Sequence, residues 1–94
     1  MENEPRHNEL MHQYELPLDG KLALLKYEER EDGALVLTHT FVPPELRGRD
    51  LAARVTRYAM EDVRSRGKKV VPQCSYAVTF LERNKEYADL VAGS

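Results

Sequence analysis

Cys74 is the single cysteine among 94 residues, so the chain can close no internal disulfide and offers no Cys-x-x-Cys metal clip. It follows the apolar run "KKVVPQ" and precedes "SYAVTFLERN", where Ala77, Phe80 and Leu81 fall at helical spacing. A thiol at such a strand-to-helix junction meets the positive end of the helix, which favours thiolate and hence nucleophilic chemistry. It serves equally well as a small buried apolar group. Tyr76 carries a phenol able to donate a proton, with packing as its plainer role. His39 in "ALVLTHTFV" shares one face of a period-two strand with Leu35, Leu37 and Phe41, which favours a core or half-buried imidazole over a catalytic base. His7 and His12 show no partner in the sequence, and Glu28, Glu29 and Glu31 read as a solvated turn. No metal site is expected.

A second chemistry lies in "FVPPELRGRDLAARV", residues 41–55. Two prolines end a strand, because neither donates a ladder hydrogen bond, and an apolar stripe of helical period begins near Leu51. A helix start leaves up to four amides unpaired and carries a partial positive charge, so it attracts anions. Gly48, lacking a side chain, lets a phosphate approach that turn closely. Asp50 introduces the competing expectation that its carboxylate caps the helix's own amides.

Charge is distributed unevenly around these groups. Residues 1–46 hold 10 acidic and 4 basic side chains, residues 47–69 hold 3 and 8, and residues 70–94 hold 3 and 2, within a net charge of -2. The cationic segment is either an anion site or an exposed helix face. A nucleic-acid role is set aside, since no aromatic platform accompanies the arginines and the rest of the chain is acidic. No apolar run is long enough to span a membrane, and the polar, acidic start "MENEPRHNEL" lacks the pattern of a signal peptide, so a cytoplasmic protein is expected.

The elements that must hold these residues follow from turns and periods. Asp19-Gly20 and Asp32-Gly33 are hairpin signals separating three strands, within 11–18, 21–31 and 34–42. Helical spacing of Leu51, Val55, Tyr58, Ala59, Asp62 and Val63 predicts a helix stopped by Gly67. A short strand at 70–73, a helix from Ser75 and a last helical piece around Tyr87, Leu90 and Val91 complete the order β-β-β-α-β-α. This is an α/β or α+β single domain over residues 1–94, with 1–8 expected to be flexible.

"DGALVLTHTFVPPELRGRDLAARV" followed by "GKKVVPQCSYAVTFLERNKEYADLV" resembles the GNAT superfamily of acyl-CoA N-acyltransferases, specifically its short single-domain YjdJ-type branch. The superfamily's pyrophosphate signature Q/R-x-x-G-x-G/A falls on Arg47, Gly48, Arg49, Asp50, Leu51 and Ala52. Arg47 and Ala52 match it; Asp50 stands where the pattern has glycine.

The resemblance implies a mostly antiparallel sheet in which acetyl-CoA lies between two splayed parallel strands, here the one ending at Val42 and the one at 70–73. Backbone groups of Phe41 and Val42 would contact the pantetheine or polarise the acetyl carbonyl, and residues 47–52 would hold the diphosphate. Arg47 and Arg49 would offset the charge of Asp50, and Arg54 or Arg57 would reach the 3′-phosphate. Cys74 would carry an acyl-cysteine intermediate or help activate the amine or protonate the leaving thiolate, and Tyr76 would act as general acid. The expected activity is acetyl transfer to an unidentified amine, at a site that is open or completed by a partner protein. A CoA-binding or interaction protein without turnover is the alternative.

Overall fold

Asp19 and Gly20 both take left-handed backbone angles, φ 53° and 74°, the conformation that a two-residue hairpin turn demands and that aspartate and glycine tolerate best. That turn joins β2 (Gln13–Leu18) to β3 (Lys21–Glu29), with Leu18 opposite Lys21. The second turn is longer: Arg30 accepts from Gly33 N and donates its own N–H to Ala34 O, and Asp32 Oδ1 accepts from Ala34 N. It leads into β4 (Leu35–Phe41). The computed structural model describes residues 4–93.

Five strands form one sheet in the order β1-β2-β3-β4-β5, antiparallel except for the last pair. β1 (Arg6–Asn8) is an addition to the expected order: it pairs with β2 where the sequence suggested a loose start. Of residues 1–8, the first three lie outside the described residues. Pro17 sits within β2, opposite Leu22.

One face of β2 and β3, presenting Tyr14, Leu16, Ala23, Leu25 and Tyr27, packs on α1 (Leu51–Ser65). From the helix come Leu51, Val55, Ala59, Met60 and Val63, all at most 2% exposed. Burying each of the leucine, valine and methionine side chains is worth about 1.5–3 kcal/mol, which fixes the helix across the sheet. The helix ends as its glycine requires: Gly67 (φ 67°) donates to Arg64 O and Lys68 N to Val63 O, the paired bonds of a Schellman motif. β5 (Val70–Pro72), α2 (Ser75–Arg83) and a 3-10 turn at Lys85–Leu90 follow. Phe80, Leu81, Tyr87 and Leu90 seal that end of the core.

Candidate functional site

β4 reaches the site with its phase inverted. Leu37 pairs with Tyr27 and His39 with Lys26, so Thr38 is an extra residue in the ladder. One extra residue exchanges the faces of everything that follows. Leu35 and Leu37 are buried against the core, but His39 is exposed and Phe41 is 45% exposed. The expectation that His39 and Phe41 share the inner face of Leu35 and Leu37 is therefore corrected, and His39 is not a core imidazole. Thr40 and Val42 take the inward positions instead.

β4 and β5 part at the same level. Leu35, Val36 and Leu37 pair with Val70, Val71 and Pro72, and Leu37 O then accepts from both Gln73 N and Cys74 N, at 3.1 and 3.0 Å. Beyond that fork β4 stays paired with β3 as far as Phe41 but no longer with β5, the parting of the two parallel strands that the resemblance implied.

After β4 a 3-10 turn (Pro44–Leu46) tucks Leu46 into the core and delivers the chain to α1. Gly48 has φ 86°, and a side chain built on it would meet nothing within 4 Å. Asp50, at the N-cap, is left-handed as well (φ 63°, ψ 25°), and its side chain makes no capping hydrogen bond. Its backbone carbonyl accepts from Arg54 N at 3.1 Å. Capping needs an extended N-cap residue that folds its oxygen over the next amides; the left-handed turn directs the carboxylate elsewhere, so the capping expectation is overturned. The same angle explains why glycine suits this position and why aspartate is an acceptable substitute.

These segments enclose a cleft of about 380 Å³ lined by Thr40, Val42, Gly48, Asp50, Leu51 and Tyr76, with Arg47 and Ala52 also on its wall. Cys74, partly buried, stands behind Thr40: its sulfur is 3.4 Å from the threonine hydroxyl. A second hollow of about 280 Å³ continues past Asp50, Ala53 and Tyr76 to Arg57, Arg83 and Asn84. Burial raises the Tyr76 phenol above its ordinary value, and the nearby Asp50 adds to that, so Tyr76 holds its proton at neutral pH.

The arginines of this segment have partners within the chain. Arg47 Nε donates to Val42 O (3.2 Å), just past β4, and Arg49 pairs with Asp19 (3.4 Å) in the β2–β3 turn. Arg57 lies over the Phe80 ring and contacts Asn84. Thr40 escaped the sequence reading altogether, because strict alternation assigned it to the opposite face; only the ladder reveals the extra residue. Among the described residues no group of three or more His, Cys, Asp or Glu could hold a metal ion, and no helix is long and apolar enough to cross a membrane.

A family model described as GCN5-related N-acetyl-transferase matches residues 13–90. The fold is similar to that of a GCN5-like protein from Staphylococcus aureus solved by NMR, with a TM-score of 0.76 and 24% identity, over 99% of this chain and 91% of that one.

Proposed function

The chain belongs to the GCN5-related N-acetyl-transferase family, and on that premise we propose that it binds acetyl-CoA in the β4–α1 cleft and transfers the acetyl group to an amine. The observation that carries this is the cleft that runs from the left-handed turn at Gly48 and Asp50 to Thr40 and Tyr76, with the Cys74 sulfur 3.4 Å behind the Thr40 hydroxyl. Residues 32–55 and 67–91 further suggest the short YjdJ-type branch, and the unpaired cysteine suits a cytoplasmic setting.

The amides entering α1 would hold the diphosphate, since an N-terminus whose side-chain cap is missing offers donors and a favourable dipole. Open space at Gly48 fits that approach. The carboxylate of Asp50 opposes it, and the arginine-rich surroundings offset that charge only through space. The thioester end would lie between the parted strands, near the backbone of Phe41 and Val42. Tyr76, protonated and on the cleft wall, is placed to give its proton to a departing thiolate. Cys74 either attacks the acetyl carbonyl, expelling the CoA thiolate and then yielding the acetyl group to the amine with its own sulfur as leaving group, or serves the amine as a proton acceptor. The acceptor is an amine that enters from the open side of the V, on the chain alone or beside a partner protein.

A second reading, CoA binding without turnover, is favoured by one observation. His39 points to the exposed face of the sheet, so it supplies no imidazole base to the cleft.

Thermal unfolding with acetyl-CoA tests the assignment. At a hundredfold excess over Kd a ligand confined to the native state adds about 2.7 kcal/mol of stability, which raises Tm by about 10–20 °C for a chain of this size. No shift at millimolar acetyl-CoA overturns the proposal. A shift without acetyl transfer to any of a panel of amines selects the second reading.

A further inference from the structure

The Thr40 hydroxyl is a polar group on the cleft wall to which the acetyl-transfer reading gives no task. It reaches that wall because Thr38 is an extra residue in the ladder, and it lies 3.4 Å from the Cys74 sulfur. Oxygen and sulfur at that separation share a hydrogen-bonding proton, whichever of the two carries it. The sulfur is not spent on the helix beside it: Cys74 occupies the N-cap of α2 with extended angles (φ -77°, ψ 152°), yet its side chain makes no capping bond. Its backbone is pinned on both sides, since Cys74 N donates to Leu37 O at 3.0 Å and Cys74 O accepts from Val78 N at 3.1 Å. Packing against the core holds the partly buried side chain next to Thr40.

We infer that Thr40 is a positioning residue for Cys74: its hydroxyl donates to the sulfur in the thiolate form, favouring that form and fixing the direction of the remaining lone pairs. This role presupposes the reading that Cys74 serves the transfer, as nucleophile or as proton acceptor. A neutral thiol is a weak acceptor, whereas a thiolate gains a charge-assisted bond, so the hydroxyl favours ionisation. The start of α2 acts in the same sense, because its amides lack a side-chain cap and form the positive end of the helix.

The two influences differ in kind. A helix dipole supplies a field, and only the hydroxyl supplies a direction. The ionisable groups on the same wall are Tyr76 from α2 and Asp50 from the entry to α1, and His39 of β4 lies on the exposed face; all three stay in place in the variants that separate these influences. Valine at position 40 keeps the branched shape that suits a strand and loses the hydroxyl, whereas serine keeps the hydroxyl and loses a methyl group.

Iodoacetamide alkylation of the whole chain, whose one thiol is Cys74, tests this without acetyl-CoA, with rates measured from pH 6.5 to 9.5. Thr40→Val should react about three- to tenfold more slowly than wild type at pH 7, the deficit should narrow as pH rises, and Thr40→Ser should keep most of the wild-type rate. Valine has the shape of threonine and leaves access to the sulfur unchanged, so a narrowing deficit reports the proton equilibrium. An unchanged rate in Thr40→Val, a deficit equal at every pH, or a serine variant as slow as the valine one overturns the inference. Should Thr40→Val fail to fold, Thr40→Ala against Thr40→Ser makes the same comparison with the same outcomes. Melting with acetyl-CoA is read separately: no shift in the wild type overturns the cofactor assignment, while an alkylation deficit measured alongside would still support the hold of Thr40 on the sulfur.

Discussion

The hydroxyl of Thr40 lies 3.4 Å from the sulfur of Cys74, and it is this contact that connects the wall of the cleft to the lone thiol. If the thiol accepts the acetyl group, incubation with acetyl-CoA leaves an acetyl adduct on the Cys74 peptide, visible by mass spectrometry. Cys74→Ser removes the adduct and changes stability by no more than about 1 kcal/mol. An unmodified thiol during turnover leaves Cys74 only the non-covalent role.

Tyr76→Phe keeps the ring that packs near Phe80 and deletes the proton. A general acid is worth about 10²–10⁴ in rate, so kcat should fall by about a hundredfold with KM nearly unchanged. Steady-state kinetics across pH checks this, and an unaltered kcat reduces Tyr76 to packing.

At the entry to α1 two left-handed residues make opposite predictions. Gly48→Ala forces a side chain onto φ 86° and should cost about 1–2 kcal/mol, read as a lower Tm. Asp50→Gly relieves φ 63° and removes a carboxylate from the cleft. It should hold or raise Tm and enlarge the acetyl-CoA shift. A smaller shift in Asp50→Gly would mean that the carboxylate contributes to binding.

Glu15 sets an acid limit on the fold. Burial pushes its carboxyl up, but hydrogen bonds from Gln13, Arg6 and Asn8 outweigh that and leave it below the ordinary 4.5. Its contribution is therefore complete above about pH 4.5 and is lost as pH falls through the lower native value. Glu15→Gln should cost about 1–3 kcal/mol at pH 7. In urea unfolding the gap from wild type should narrow at pH 3; a gap independent of pH would rule out the charge as its source.

Much of the architecture was legible because it rests on local rules. Asp19-Gly20 fits one kind of turn, Pro43 and Pro44 stop a strand, and the stripe from Leu51 to Val63 has one period. β1 was not legible: three residues carry no pattern of their own, and they dock because Tyr14, Tyr27 and Asp62, distant in sequence, surround His7.

The candidate site divides along the same line. By itself the sequence determined the glycine turn before an arginine-bearing helix and a cysteine at a strand-to-helix junction, since each follows from neighbours along the chain; the parting of the two strands came only with the family resemblance. Tertiary structure alone decided which side chains enter the cleft. The extra residue at Thr38 exists only relative to β3, and it moves Thr40 inward and His39 outward. The left-handed Asp50 likewise turns its carboxylate away from the amides it was expected to cap. Both outcomes depend on how one segment registers against another, which no residue's own type or spacing contains.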